Sequence, residues 1–445
     1  MRIIIGGAGE VGTHLAKLLS RENQDIILID TDEDRLNISN SFEIMTVVGN
    51  PTSIEDLENA GVNKADIFIG VTPEESTNIT ACMLATNLGA ITTIARIKNH
   101  EYLLPKNSDF FKQLGVDSLI CPEILAAREI EVALKRPWAR QWWELSNGSL
   151  ILIGTKIRDN APIVNTYLYD LAGEGEKKFH VVVIKRGDET IIPQGNAHIE
   201  SGDILYFTTT KEYVDEVQAL TGKKNIDIRK ITIMGGSRIA VTLTRLLRNN
   251  VRIKLLEKDK EKSFRLAEIV DSDVMVIHGD GRDTDLLTQE NIKDCDAFIA
   301  LTESAETNIL ACVAAKNLGV PKTVAQVENI DYIRLAEKLD IGMVINKKII
   351  AASHIFQFLL NADVSTVKSL TFANADVAEL VARPGSKITR KPVKDLNLPS
   401  DITLGGLIRN GVPQIIDGNT LIQPQDLVVV FCLDTAMRKL ENYFN

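Results

Sequence analysis

From Arg2 onward the chain alternates short apolar runs with stretches whose apolar residues recur every three or four positions. Ile3-Ile4-Ile5 predicts a buried strand, and Val11, Leu15, Leu18 and Leu19, spaced i, i+4, i+7 and i+8, predict the helix that follows it. The same reading places strands over 26–29, 44–48, 66–72, 93–97 and 119–120, with helices over 33–40, 54–60, 76–88 and 123–135 between and after them. Strands that are apolar on both sides and separated by helices belong to a parallel sheet covered on both faces, a doubly wound domain.

The order of elements then returns. At an offset of 230, Asp66, Phe68, Ile69 and Thr72 recur as Asp296, Phe298, Ile299 and Thr302. Thr77-Asn78-Ile79 recurs as Thr307-Asn308-Ile309, Ala81-Cys82 as Ala311-Cys312, and Asn87-Leu88-Gly89 as Asn317-Leu318-Gly319, which indicates duplication. Between the copies, runs over 150–154, 181–184 and 204–207 are separated by turn signals at 186–188 and 200–203 and closed by a helix over 212–220. That pattern predicts a small α+β domain. The tail repeats it: Gly195-Asn196 and Asp203 return as Gly418-Asn419 and Asp426 at an offset of 223, and 437–444 resembles the closing helix. The expected fold class is α/β, with two doubly wound parallel-sheet (Rossmann-like) domains, 1–137 and 225–361, each followed by a small α+β domain, 138–224 and 362–445. Helical runs over 123–135 and 347–360 join the halves of each unit and are amphipathic enough to pack on a neighbour.

Composition narrows the classes of partner. A chain of 445 residues exceeds one ordinary core, and 44% hydrophobic with 25% charged residues is ordinary for a globular protein. A net charge of −10 argues against nucleic acid or an anionic lipid surface as the main target. No apolar run is long enough to span a membrane, and Met1-Arg2-Ile3 enters the first strand directly, so a cytoplasmic protein without a signal peptide is expected. Cys82, Cys121, Cys295, Cys312 and Cys432 are scattered and odd in number, and read as small buried hydrophobes. The six histidines are isolated, so no metal site is expected.

The first strand runs into Gly6-Gly7-Ala8-Gly9-Glu10-Val11-Gly12, a Gly-x-Gly-x-x-Gly turn that opens a helix. Gly7 permits the tight turn, Gly9 leaves room for a pyrophosphate, and Gly12 lets helix and strand approach, while the helix N-terminus offers N–H groups to phosphate oxygens. Asp30 ends the second strand 18 residues past Gly12, where an acidic side chain takes a ribose hydroxyl. Its charge favours NAD over NADP but does not separate NAD from ATP or ADP. Gly7, Ala8, Gly9, Glu10, Val11, Gly12 and Asp30 are therefore the first candidate nucleotide contacts.

The second copy is altered. Its turn is Gly235-Gly236-Ser237-Arg238-Ile239-Ala240, in which Ser237 stands at the place that faces phosphate, and Glu257 ends the following strand as Asp30 does. Asn50 and Asp280 follow the third strands at equivalent turns and either face an adenosine or simply form the turn. Thr72 with Pro73, and Thr302, follow the fourth strands beside the crevice where open α/β sheets bind ligands, or else satisfy loop backbone. Arg96 is either a phosphate clamp or half of an ion pair, and its counterpart is the uncharged Gln326. No catalytic motif accompanies these turns, so a ligand sensor is expected over a catalyst, with an NAD-dependent oxidoreductase carrying duplicated cofactor domains as the alternative.

The duplicated pattern, Gly6 to Gly12, Asp30, Gly49-Asn50-Pro51-Thr52-Ser53 and Thr72-Pro73-x-x-x-Thr77-Asn78, resembles the RCK (KTN) domains that regulate potassium channels and transporters. The resemblance covers essentially the whole chain and departs from the family where Asn50 replaces the commoner aspartate, which survives as Asp280. It implies a cytosolic subunit, peripheral on the inner face of the membrane, that binds NAD(H) or ATP and ADP. It further implies a homo-oligomeric ring, dimer or tetramer, that gates potassium uptake through an integral membrane transporter without binding lipid directly.

Overall fold

The computed structural model describes residues 1–20, 24–37, 44–171, 177–248, 251–359, 364–370, 373–433 and 443–444. Two compact units emerge: Met1–Ala126 with Asn346–Leu359, and Ala127–Ile345 with Leu360–Asn445.

The first unit is built as β1 (Arg2–Gly6), α1 (Glu10–Ser20), β2 (Asp25–Asp30), α2 (Glu33–Asn37), β3 (Met45–Val48), α3 (Ile54–Asn59), β4 (Ile67–Gly70), α4 (Glu75–Leu88), β5 (Thr92–Arg96), α5 (Pro105–Gln113) and β6 (Ser118–Ile120), with α6 (Pro122–Lys135) leading out of it. The sheet is parallel in the order β3-β2-β1-β4-β5-β6, so strand order reverses beside β1. Alternate residues of the strands feed opposite faces. Ile3, Ile5, Leu28 and Ile69 pack with Val11, Leu15 and Leu19 of α1, while Ile4, Ile27, Ile29 and Phe68 pack with Leu57, Ala81, Cys82 and Ala85. Apolar runs without polar alternation are what such two-sided burial requires. Helix α5 was not foreseen; Pro105 opens it and Phe111 is its buried anchor. Positions 38–40 of the expected 33–40 helix lie outside the described residues.

In the second unit the first small sheet comprises β7 (Gln141–Leu145), β8 (Leu150–Lys156), β9 (Phe179–Arg186), β10 (Glu189–Ile191) and β11 (Ile204–Thr210), closed by α7 (Val214–Leu220). All its pairings are antiparallel, in the order β10-β9-β11-β8-β7. The second doubly wound sheet follows: β12 (Lys230–Met234), α8 (Arg238–Leu246), β13 (Arg252–Glu257), α9 (Lys260–Ile269), β14 (Val274–His278), α10 (Thr284–Gln289), β15 (Ala297–Ala300), α11 (Ala305–Asn317), β16 (Lys322–Gln326), α12 (Ile330–Lys338) and β17 (Met343–Ile345). Its order, β14-β13-β12-β15-β16-β17, repeats that of the first. Helix α13 (Lys347–Leu359) belongs to the first unit, where Ala351, Ala352 and Ile355 join the α1 side of the core. The second small sheet is β18 (Val364–Ser369), β19 (Ala375–Val381), β20 (Ile402–Arg409), β21 (Val412–Ile415) and β22 (Leu427–Leu433). Of the closing helix expected over 437–444, residues 437–442 lie outside the described ones.

The two small sheets pack on one another. Thr208 Oγ1 donates to the Gly405 carbonyl at 3.0 Å, and the buried Glu379 receives the N–H of Ser146 at 2.5 Å and its hydroxyl at 2.8 Å. A Cβ on Gly406 would come within 2.8 Å of Leu150 Cδ1, so a glycine there sets how closely the sheets meet. The repeated Asp203 and Asp426 have a structural role: each is buried and accepts a two-pronged Arg, Arg186 at 2.9 and 2.7 Å and Arg409 at 2.9 and 2.6 Å. All five cysteines are buried, and none is in a disulfide.

Candidate functional site

Register explains how scattered residues reach one edge. Gly6 of β1 pairs with Gly70 of β4, and Gly70 with Ala95 of β5, so Gly7, Thr72 and Arg96 all leave the sheet at its carboxyl edge, beside the reversal of strand order. This is where open parallel sheets leave a crevice.

Each glycine of the first turn answers a separate constraint. Gly7 has a positive φ of 115°, donates to the Ile29 carbonyl at 2.8 Å, and a Cβ there would strike the backbone of Thr72 at 2.9 Å. A Cβ on Gly12, inside the first turns of α1, would fall 1.8 Å from the Gly7 carbonyl oxygen. Around Gly9 nothing lies within 4 Å of an added Cβ, so the space in front of the helix start is open. Ala8 and Val11 are buried in the core below, whereas Glu10 is exposed and pairs with Lys348 of α13 at 2.5 Å.

The carboxylate of Asp30, buried at the end of β2, braces the turn. Its Oδ2 receives the Ala8 N–H at 2.6 Å and its Oδ1 the Asp32 N–H at 2.9 Å. Glu257 repeats the brace, taking Gly236 N–H at 2.9 Å and Asp259 N–H at 3.0 Å, and Lys262 pairs with it at 2.8 Å. These contacts, with Lys262, hold its carboxyl below the usual range against the opposing effect of burial.

Asn78 was not singled out as a site residue, yet it organises the far wall. Buried within α4, its Oδ1 accepts the Thr72 N–H (2.8 Å) and hydroxyl (2.7 Å), and its Nδ2 donates to the carbonyls of Thr72 (3.0 Å) and Arg96 (2.8 Å). Asn308 makes the same four bonds to Thr302 and Gln326. The signal was present: a polar residue repeated at the 230 offset on a helix face otherwise lined by Ala and Cys. Thr72 is thereby tied into loop backbone, and Pro73 beside it is exposed.

Arg96 differs. Its Nε is buried without a hydrogen-bond partner, and among the described residues no carboxylate pairs with its guanidinium. At the equivalent end of β16, Gln326 Nε2 donates to Glu328 at 2.9 Å. The corner residues both form Asx turns. Asn50 Oδ1 accepts the Thr52 N–H at 3.0 Å and hydroxyl at 2.8 Å, and Asp280 accepts from Arg282, whose two-pronged grip holds its carboxyl down to about 2.

The second turn keeps the geometry and closes the opening. Gly235 has φ 95° and abuts Thr302 as Gly7 abuts Thr72. A Cβ on Gly236 would strike Leu266 at 2.1 Å. Ser237 sits at the N-cap of α8 and its Oγ receives the Ala240 N–H at 3.3 Å, so a side chain occupies one of the donors that the first turn leaves free. Arg238 and Ile239 are the first residues of α8, and only Ile239 is buried.

Two glycine turns of this build, each at the strand reversal of a doubly wound sheet and each sheet followed by a small antiparallel domain, define a tandem Rossmann-type protein. The family model of the TrkA-N domain matches residues 3–122 and 231–347, and that of the TrkA-C domain matches 152–222 and 377–445. The chain belongs to the TrkA family of Trk system potassium uptake proteins. It is 31% identical to the Trk system potassium uptake protein TrkA of Halomonas elongata over 100% of this chain and 98% of that one, and 32% identical to that of Vibrio alginolyticus over 98% and 96%. A TrkA homologue of Methanosarcina mazei is 29% identical over the full length of both. Among solved structures, the GsuK RCK domain (TM-score 0.60, 16% identity, 100% of this chain and 94% of that one) and the GsuK channel bound to NAD (0.61, 16%, 100% and 78%) share the fold. Among the described residues no helix is long and apolar enough to cross a membrane.

Proposed function

We propose that the chain is a non-enzymatic regulatory subunit that binds NAD(H), or ATP and ADP, at its first glycine turn and uses that binding to gate potassium uptake through an integral membrane partner. The observation that carries the nucleotide reading is the pairing of an open helix start at Gly9 with the uncompensated guanidinium of Arg96 at the same sheet edge. Helix-start N–H donors and a cation without a counter-charge suit a diphosphate. Gly7 to Gly12, Asp30, Asn50, Thr72, Pro73 and Arg96 line the first site. Gly235, Gly236, Ser237, Arg238, Ile239, Glu257, Asp280 and Thr302 line a second, weaker one, because Ser237 caps its own helix and Gln326 replaces the cation.

Potassium enters through the full-length relatives, named as parts of Trk uptake systems. The chain would act at the cytoplasmic face as a homo-oligomeric ring, a dimer or tetramer, whose repeating parts are the domains 1–137, 138–224, 225–361 and 362–445. Helix α13 is the natural lever, since Lys348 grips Glu10 at the start of α1 and moves with whatever moves that helix. A ligand drives such movement only through the difference in its affinity for two geometries. The test is rubidium uptake into liposomes holding the membrane partner and this chain. NADH or ATP should change uptake with the native chain and not with Arg96→Gln. Uptake indifferent to nucleotide, or steady NADH consumption with a small carbonyl substrate, would overturn the reading.

A further inference from the structure

In the second unit, the first small domain and the second doubly wound sheet share a knot of positive charge. The carboxylate of Asp340, in the turn between α12 and β17, meets four cations: Lys316 at 2.6 Å, Arg158 at 3.5 Å, Lys156 at 3.6 Å, and the buried Arg140. Two more lysines close the knot without a carboxylate. Lys322 is buried and donates to the carbonyls of Ala139 (2.8 Å) and Pro137 (3.3 Å), and Lys223 donates to Thr155 Oγ1 (2.7 Å) and the Trp138 carbonyl (3.3 Å). Glu337 is the second acid facing the group, itself flanked by Lys185 and Asp188, one charge of each sign. Among the described residues, six basic side chains thus share two carboxylates.

Burying like charges in excess is costly unless a counter-ion joins them. The lysines reflect the same cost: burial, and then Arg140 for Lys223 and Lys322 and Arg158 for Lys316, press the first two down to about 7 and Lys316 to about 8.

The fold itself does not ask for this charge. Among the described residues, the first repeat builds the same corner without a cation, its one charge there being the Asp117 carboxylate that accepts the Thr93 N–H at 2.8 Å. Thr86, Thr92 and Gly115 stand where the second has Lys316, Lys322 and Asp340, and both Gly115 and Asp340 adopt positive φ. Thr86 Oγ1 donates to the Gly115 carbonyl at 2.6 Å, as Lys316 donates to that of Asp340.

We propose that this knot is an anion site, distinct from either glycine turn, that takes a phosphate-type oxyanion. Lys322 opens β16 and Asp340 precedes β17, so the site lies at the amino edge of the sheet, opposite the edge that carries Gly235. Lys156 and Arg158 lie at its rim, the latter 62% exposed, so solvent reaches the cluster there. Bidentate Arg and mobile Lys donors match tetrahedral oxyanions, and an arriving anion would relieve the repulsion and brace the small domain against the sheet.

The test is titration of the full-length protein with inorganic pyrophosphate at constant ionic strength, followed by calorimetry and thermal unfolding. Saturable binding with a raised midpoint is expected, and the double variant Lys156→Gln/Arg158→Gln, altered at the rim, should weaken it by about tenfold or more. Gly9→Leu should leave the response intact. Competition by ADP in Gly9→Leu would identify a nucleotide's phosphate tail as the ligand, and lack of competition a free oxyanion; both uphold the site. A response no greater than with chloride, one unchanged in the double variant, or one abolished by Gly9→Leu would overturn it.

Discussion

The N–H of Ala8 donates to Oδ2 of Asp30 across 2.6 Å, so the residue proposed to meet a ribose also holds the glycine turn in shape. Asp30→Ala should therefore act twice. It removes an acceptor for the nucleotide and strands two N–H groups, those of Ala8 and Asp32, at a cost of roughly 1–3 kcal/mol each when buried. A lower thermal midpoint of the empty protein together with lost NADH affinity is the expected outcome; lost affinity at an unchanged midpoint would show that the brace is unimportant.

Gly9 and Gly12 should separate ligand binding from folding. Alanine at Gly12 drives a methyl against the Gly7 carbonyl, which requires the turn and helix to part and costs about 2 kcal/mol or more. Alanine at Gly9 meets nothing and should shift stability by less than about 0.5 kcal/mol. Denaturant unfolding of the two variants checks the contrast.

Arg96→Gln installs the residue that the second repeat already carries at this place. Because the buried Nε has no partner, its removal should leave the empty protein as stable or slightly more so, while nucleotide affinity falls by about tenfold or more. A destabilised variant with native affinity would assign Arg96 to structure.

Lys223 and Lys322 make stability depend on pH. Both are held near 7 in the folded chain, against an ordinary value of 10.5, Lys322 by burial and then Arg140, Lys223 by burial and then Arg140, Arg158, Lys322 and Lys156, with Lys316, Glu337 and Asp340 completing the charged surroundings. Between these values the unfolded chain binds protons that the folded chain has shed, so stability rises with pH, on the order of 1 kcal/mol per pH unit per lysine. Thermal midpoints recorded from about pH 7 to about pH 8.5 should climb, and Lys223→Met should flatten the climb. A midpoint that falls over this window in the native protein contradicts it.

Much of this architecture is legible in the sequence, because the governing patterns are local. Ile3-Ile4-Ile5 and the glycines after it dictate a strand, a turn and a helix within twenty residues, and Asn308 echoes Asn78 at a fixed offset. What stayed hidden depends on distant partners. Nothing in the periodicity of 347–360 says that Ala351 and Ile355 pack in the core of the first sheet, and nothing local to Lys322 says that its amine meets the Ala139 carbonyl. The role of Asn78 was obscured for the same reason: its bonds run to Thr72 and Arg96, on two different strand ends. At Asn50 two meanings coincide, since an Asx turn and an adenosine contact ask for the same side chain.

The proposed gating depends on a diphosphate held at the first turn. Calorimetric titration of the full-length chain with NADH, repeated on Gly9→Leu, examines that most directly, since the open space before α1 admits either the phosphates or a leucine side chain. One strong site per chain, lost in the variant while its melting curve stays native, is the predicted result. Absence of binding to the native chain, or equal binding by Gly9→Leu, would contradict it.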